Sequence, residues 1–559
     1  MSHLSEISEQ NSSANIKDLK SHDIDIELYQ RQQELEEIDD ELHSRWQMIK
    51  SFLVCGAAFF ADAYLMFSAN ILVMIMGYVY FHDAEGSAKN VVPNNWSTLV
   101  KVGVQVGCLL GQLILGRLGD KFGRTSVFSM GAILVIISTV GASFSSSAVR
   151  GANAFVFLFI WLVFVGIGVG GDYPLAATIT SEYAEVSSRG KYLAAVFACQ
   201  GFGNLGASIV AIIVLACFKG AIRDDVYALD YVWRICLGFG AIPGAVTLYW
   251  RLTMSESKQF QAEAEKREAQ TEAIKAEDEL LLAKKAAQES DMTPAAGSST
   301  LSMQKEAIKD FSQFNEHMDE LVEKAQKKGS KRAETFGEYF GQWKNMKVLL
   351  GTSIAWFVLD VAFYGINLNS SVVISAIGFS GDVQNGDPYS VLSRNCLGNI
   401  IINLLGSVPG YWITVFTIER LGRKRIQLIG FAALTVLYVV IGFAYHQILD
   451  ASNVGFIVLF TLAQLFQNFG PNVTCFVWPG EVFPTRFRST AHGISAAAGK
   501  LGAIVAQAGL MTLKDRGGPN AWIPHLIEIF ALFTLIGFFV TFWIPETKGK
   551  SLEEITGEE

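Results

Sequence analysis

What most constrains this chain is where its charges are not. Only 17% of its 559 residues are charged, and they crowd into the first 46 positions, a central block from about 253 to 345, and the last dozen. Between them lie apolar runs, each close to the ~20 residues that a helix needs to cross a ~30 Å hydrocarbon layer. A backbone inside lipid has to satisfy its own hydrogen bonds, so these runs fold as helices. Six spans are expected ahead of the central block, near 51–80, 97–117, 126–147, 153–178, 191–217 and 231–252. Six more follow it, near 347–378, 395–418, 427–446, 454–478, 490–512 and 522–544. The expectation is an all-α membrane protein of twelve transmembrane helices, with the lipid bilayer as its first partner.

The net charge of −9 comes largely from the soluble parts and gives no reason to expect nucleic-acid binding. Seven scattered cysteines show no CxxC or Cys/His spacing, so neither a metal site nor a disulfide framework is expected. The polar N-terminus and the first apolar run, starting near Phe52, do not read as a signal peptide. Residues 26–46 read either as a short amphipathic helix or as part of a disordered tail. The central block alternates Ala, Glu, Lys and Gln and breaks at Thr293-Pro294 to Ser299. It reads as solvated helices on a flexible tether, with a regulatory docking site as the alternative.

Basic loops set the orientation. Arg117, Lys121 and Arg124, then Arg189 and Lys191, then Arg420 to Arg425, then Arg486 and Arg488 all fall between spans on one side. With an even number of spans, that side also carries both termini and the central block, and it is expected to be cytosolic. The division is a tail (1–46), an N-terminal six-helix half (47–252), a cytosolic linker (253–345), a C-terminal six-helix half (346–545) and a tail (546–559). Asn95-Trp96-Ser97 is a glycosylation sequon on the opposite side, close to the membrane.

The two halves repeat. Gly116-Arg117-Leu118-Gly119-Asp120-Lys121-Phe122-Gly123-Arg124 follows span 2, and Glu419-Arg420-Leu421-Gly422-Arg423-Lys424-Arg425 follows span 8. Span 4 ends in Glu182 with Arg189 beyond it; span 10 ends in Glu481 with Arg486 and Arg488 beyond it. Matched acids, glycines and arginines at equivalent corners predict interhelical charge networks that gate the cytosolic side. Asp120, Arg124, Glu182, Arg189, Glu419, Arg423, Glu481 and Arg488 are the gating candidates. Parallel repeats of this kind create a site between the halves and move by rocking.

The first of these loops resembles the signature of the major facilitator superfamily, and Pro545-Glu546-Thr547-Lys548-Gly549 resembles its closing motif. Gly170-Gly171-Asp172-Tyr173-Pro174-Leu175, Trp356 to Gly365, Phe469-Gly470-Pro471-Asn472 and Pro479-Gly480-Glu481 through Lys500 resemble the phosphate:proton symporter family, of the fungal high-affinity type. The resemblance covers essentially all of 45–555. It implies two pseudo-symmetric six-helix halves, inorganic phosphate and protons as the transported partners, and no cofactor.

The intramembrane polar residues point the same way. A charge in lipid costs at least ~2.5 kcal/mol, so each one is a functional hypothesis by default. Asp360 and Tyr364 are four apart and share a helix face with Trp356. Lys500 reads as the one strongly intramembrane cation, with Asp360 as its partner. Such a site suits a tetrahedral oxyanion, with Lys500 supplying charge and Tyr173, Gln200, Trp356, Tyr364 and Asn472 supplying hydrogen bonds. The resemblance implies that these positions contact phosphate. Asp360 beside an anion repels it unless protonated, which gives a basis for proton coupling. Asp62 and Asp172 are further proton-coupling candidates, as the family pattern implies.

The chain departs from that pattern at Leu65, where a second acid is frequent, at Leu162, where arginine is common, and at Gly131, often glutamate. These departures suggest a charge network replaced by apolar packing and leave the proton stoichiometry open. Ser255 stands where the family has proline. Two other readings stay open: an organic phosphate carrier, such as one for glycerophosphodiesters, and a phosphate sensor with little transport. With no nucleophile–base pair or nucleotide loop, an enzyme is not expected. The membrane is expected to be the plasma membrane, with the endoplasmic reticulum or another internal membrane as the alternative.

Overall fold

A hydrophobic run fixes a helix in lipid, but polar residues decide where it stops, and the computed structural model shows both effects. It describes residues 46–146, 153–257, 335–376, 378–518 and 520–556, together with some positions from 260 to 282. Residues 26–45 and the break at 293–299, with the second half of the central block, lie outside the described residues. Of residues 1–53, those described are helical from Trp46. The packing and the site described below lie in the second unit, from Val54 onward.

Twelve helices among the described residues are long and apolar enough to span a membrane. In the first half they are α1 (Trp46–Tyr80), α2 (Asn94–Phe122), α3 (Arg124–Ser143), α4 (Ala154–Tyr183), α5 (Arg189–Cys217) and α6 (Val226–Leu252). In the second half they are α7 (Trp343–Asn367), α8 (Pro388–Leu421), α9 (Arg423–Phe443), α10 (Asn453–Val482), α11 (Thr485–Leu513) and α12 (Ile523–Trp543). All twelve expected spans are present, and most run on into the polar flanks. The seventh is an exception. It stops at Asn367 rather than 378, where the side chains of Asn367 and Asn369 turn back onto the carbonyls of Phe363 and Gly365. A separate short helix, Ser370–Ala376, follows. The eighth begins at Pro388 rather than 395, with the Asp387 carboxylate accepting from the Ser390 N–H.

Small residues decide which helices touch. A Cβ on Gly107 would lie 2.0 Å from the Val163 carbonyl oxygen, and one on Gly166 would lie 2.2 Å from that of Val104. Only glycine lets α2 and α4 approach this closely, as is usual between helices in lipid. Across the halves, α2 packs on α11 and α5 on α8. Within the second half, α7 packs on α11 and α12, and α9 on α12.

The sequence repeat has a structural counterpart. Gly123 (φ 103°) separates α2 from α3, and Gly422 (φ 86°) separates α8 from α9. Both adopt a left-handed backbone that glycine takes at little cost. Glu256 then accepts from the N–H groups of Arg124 (3.2 Å) and Thr125 (3.0 Å) at the start of α3. Glu546 accepts from those of Arg423 and Lys424 (both 3.0 Å) at the start of α9. A carboxylate at a helix N-terminus satisfies free N–H groups and complements the helix dipole. The chain builds this same corner twice, six helices apart.

Candidate functional site

Three second-half helices lose their regular hydrogen bonding within their spans. α10 breaks at Asn468–Asn472, where Gly470 (φ 145°) precedes Pro471. α8 and α11 carry wide π-turns at Asn403–Ser407 and Val505–Leu510. Irregular helix inside a membrane is tolerated where protein or a cavity surrounds it, and π-turns gather at functional sites. The expected polar residues meet beside these breaks.

The centre is Lys500 on α11, which is buried. Its ammonium donates to the Tyr364 hydroxyl at 2.7 Å and to the Asp360 carboxylate at 3.2 Å. It also stands 4.3 Å from the ring centre of Tyr364 and 5.0 Å from that of Tyr173. Gly499 makes room for this approach, since a Cβ there would lie 2.5 Å from Trp356 Cδ1 and 2.9 Å from Asp360 Oδ2. The expected Lys500–Asp360 pair is therefore present, with Tyr364 completing it. The Trp356 ring packs against Tyr173 and His492, with ring centres 6.5 and 5.5 Å away.

A second line of donors runs across the halves. Asn472 Nδ2 donates to the Tyr411 hydroxyl (2.7 Å), which donates to Gln200 Oε1 (2.8 Å). Gln200 Nε2 donates to the Tyr173 hydroxyl (2.8 Å). Tyr173, Gln200 and Asn472 are thus joined to one another through a residue that the sequence reading missed. Tyr411 lies in an apolar stretch where a tyrosine reads as packing or as an interfacial anchor. Its one sequence signal is position, about ten residues inside the span from Leu421. Toward the basic corners, Phe59, Phe197 and Phe476 close under Tyr173, with Phe197 and Phe476 stacked at 4.5 Å.

The two first-half acids have different surroundings. Asp172 is paired with Arg251, at 3.2 Å to Nη1 and 3.0 Å to Nη2, and the Arg251 guanidinium lies 4.1 Å from the ring centre of Phe128. Lys500 is therefore not the one intramembrane cation. Arg251 and Lys101 are buried too. Arg251 was hidden because an arginine ending a span reads as a loop flank; the reach of its three-methylene stem back into the bundle is not visible in a hydropathy pattern. The departures around it are accommodated. Leu162 packs against Gly103, Leu65 against Gly240, and a Cβ on Gly131 would lie 3.3 Å from the Gly168 carbonyl oxygen and 3.5 Å from Asp172 Oδ1. Asp62 is buried and one of its oxygens has no hydrogen-bond partner among the described residues.

At the basic corners the gating candidates assemble across the halves. Glu182 of α4 accepts from Arg124 of α3 and, at 3.2 Å, from Arg488 of α11. Asp120 accepts from the N–H groups of Ser489 (3.3 Å) and Thr490 (2.7 Å) at the start of α11. In the other half Glu481 accepts from Arg423 at 2.6 Å, Arg423 also reaches Glu419 at 2.8 Å, and Glu419 accepts from the Lys191 N–H of α5 at 3.0 Å. Arg189 reaches the Lys550 carbonyl at 3.5 Å. Ser257 and Thr547 donate to Glu182 and Glu481 in equivalent roles. The halves are clasped on this face. On the opposite face a cavity of about 330 Å³ opens between α1, α2, the short helix Ser370–Ala376, the loop at 381–384, and Lys514 and Asn520 beyond the end of α11.

Comparison with known proteins bears on this geometry. The profile of the family described as "Sugar (and other) transporter" matches residues 51–558. The chain is 41% identical over 548 residues to the inorganic phosphate transporter PHO84 of Saccharomyces cerevisiae, covering 95% of this chain and 88% of that one. It is 37% identical to the repressible high-affinity phosphate permease of Neurospora crassa (92% and 87% covered). It is 38% identical to the probable inorganic phosphate transporter 1-4 of Oryza sativa (93% and 94% covered). Among solved structures, the proton:xylose symporter XylE bound to 6-bromo-6-deoxy-D-glucose superposes with a TM-score of 0.65 at 18% identity, over 92% of this chain and 99% of that one. The inward open conformation of XylE from E. coli gives 0.56 at 19% identity, over 91% and 99%.

Proposed function

Since this chain belongs to the sugar (and other) transporter family of the major facilitator superfamily, with inorganic phosphate transporters among its relatives, we propose that it carries inorganic phosphate across a membrane together with protons. The family is one of transporters, not enzymes. The observation that carries the reading is the Lys500 ammonium held between Asp360 and Tyr364, beside donors from both halves. Dihydrogen phosphate is tetrahedral and singly charged, and a buried lysine ringed by hydroxyl and amide donors complements it.

The cycle follows from competition for that ammonium. While Asp360 is ionised it holds Lys500 itself and its charge opposes an anion. A proton on Asp360 removes both obstacles, and phosphate takes the lysine. When the halves rock and the proton leaves on the other side, the carboxylate reclaims Lys500 and phosphate is expelled. Asp62, with its unpartnered oxygen, is a second candidate to carry a proton; Asp172, neutralised by Arg251, acts in the proposal through the release of that pair. The clasp of Glu182, Arg124 and Arg488 holds the basic side shut while the cavity face is open. Positive-inside topology makes the clasped face cytosolic, with both chain ends there, and the plasma membrane is the proposed location.

Uptake of labelled phosphate by cells lacking their own phosphate carriers tests this. Uptake is expected to fall as external pH rises, because the loading form needs a proton on Asp360, and to collapse when a protonophore is added. A rate indifferent to both would contradict proton coupling. Competition by excess glycerophosphodiester at unchanged pH would instead assign the site to organic phosphates.

A further inference from the structure

The cavity facing away from the basic corners contains a cation that the proposed cycle does not use. Lys101 of α2 lines it and is 5% exposed. Its ammonium donates to Asn369 Oδ1 at 2.7 Å. Among the described residues no carboxylate lies within ion-pair distance of it. A buried ammonium whose hydrogen-bond partner among the described residues is one amide oxygen has donors and charge to spare, and burying a charge without a counter-charge is costly. Around it the cavity presents Asn70, Ser97, Ser371 and Lys514. The cavity has one carboxylate, that of Asp382, which accepts from the Asn385 side chain (3.1 Å) and from the N–H groups of Gln384 (2.9 Å) and Asn385 (3.1 Å) in its own turn. Those donors, the Asn385 amide first, hold it below the usual carboxylate range. Lys514 is paired with Asp515 at 2.6 Å, so Lys101 is the lysine of the chamber with no carboxylate partner among the described residues.

Lys101 is also wired to the midplane. Asn369 Nδ2 donates to Gln507 Oε1 at 3.2 Å, and Gln507 Nε2 donates to the Tyr364 carbonyl at 2.7 Å. The hydroxyl of Tyr364 accepts from Lys500. Two buried lysines thus sit at the ends of one bridge of two amides and a tyrosine, one lining the cavity and one beyond it.

We propose that this cavity is a second oxyanion site, in which Lys101 holds phosphate before it passes to Lys500. The inference rests on the phosphate-carrier reading above. An anion arriving at Lys101 replaces the contact to Asn369, which frees that amide and loosens the bridge to Tyr364. The chamber thereby loads the midplane site and responds to its state.

The test combines uptake and binding. Exchanging one charge-assisted hydrogen bond for a neutral one is expected to raise the KM for phosphate uptake about tenfold in Lys101→Gln. Lys101→Arg, which keeps the charge, is expected to remain within about threefold of the wild type, and it guards against a mere folding defect in the glutamine variant. Purified Lys500→Ala protein, unable to use the midplane site, is expected still to bind labelled phosphate weakly, and Lys101→Gln/Lys500→Ala to bind none. The inference is overturned if the wild type takes up phosphate while Lys101→Gln has an unchanged KM, or if Lys500→Ala and the double variant bind phosphate equally. A wild type that neither binds nor transports phosphate would overturn the carrier reading instead, and this inference with it.

Discussion

Replacing Lys500 by alanine, or Asp360 by asparagine, is expected to lower phosphate uptake more than a hundredfold while the protein still reaches the membrane. The two changes act by different routes. Lys500→Ala removes the charge that attracts the anion and leaves the Asp360 carboxylate buried without its cation. Breaking a buried pair from one side costs about 3–5 kcal/mol, and each 1.4 kcal/mol is tenfold in an equilibrium. Asp360→Asn keeps the size of the side chain and an acceptor for the ammonium at 3.2 Å. It removes the group that titrates, so phosphate is expected to bind and then not be released. Uptake kinetics with surface-labelled protein measure the first effect, and equilibrium binding of labelled phosphate to purified Asp360→Asn measures the second. Uptake near the wild-type rate in either variant would exclude the proposed exchange.

The second large effect is expected at the clasp. Glu182 is one carboxylate shared by an arginine from each half, Arg124 and Arg488, with Ser257 as a third donor. Glu182→Gln leaves two buried guanidinium groups facing a neutral amide. A loss of even ~3 kcal/mol from the state clasped on the basic face is enough to turn a strongly populated conformation into a minor one. Uptake is expected to fall at least tenfold. In an Ala177→Cys background, where the reporter is buried on α4 five residues before Glu182, labelling by a thiol reagent applied from the basic side is expected to rise by a similar factor. Unchanged labelling would mean that the clasp does not gate. Asp120 makes a comparable bridge to α11 through backbone N–H groups, so Asp120→Asn is expected to give a weaker effect in the same direction.

How much of this was legible in the sequence depends on which force positions each residue. The twelve spans were legible because lipid demands about twenty apolar residues with no alternative. Their ends were less so, since Asn367 and Asn369 stop α7 through hydrogen bonds to its own carbonyls. The Lys500–Asp360 pair was legible because a lysine deep in an apolar run needs an acid and few were on offer. Arg251 and Lys101 escaped for the opposite reason. Each lies near a span end, where a basic residue is explained by the interface, and only the fold turns their side chains inward onto Asp172 and Asn369. Tyr411 escaped because aromatic residues in lipid need no special explanation, and its role as the bridge from Asn472 to Gln200 depends on the cross-half packing of α5 against α8. The corner motifs announced their acids and arginines. That Glu182 is answered from the other half by Arg488, while Glu481 is answered by Arg423, depends on how the helices are arranged.

Most direct for the central claim is proton movement itself, followed with a pH dye sealed inside proteoliposomes of the purified protein. Adding phosphate outside wild-type vesicles, with no pH gradient imposed, is expected to acidify the interior as phosphate enters, and vesicles bearing Asp360→Asn are expected to show no change. Acidification of equal size in both, or phosphate accumulation by the wild type with the dye silent, would contradict a carrier in which one acid and one anion take turns at Lys500.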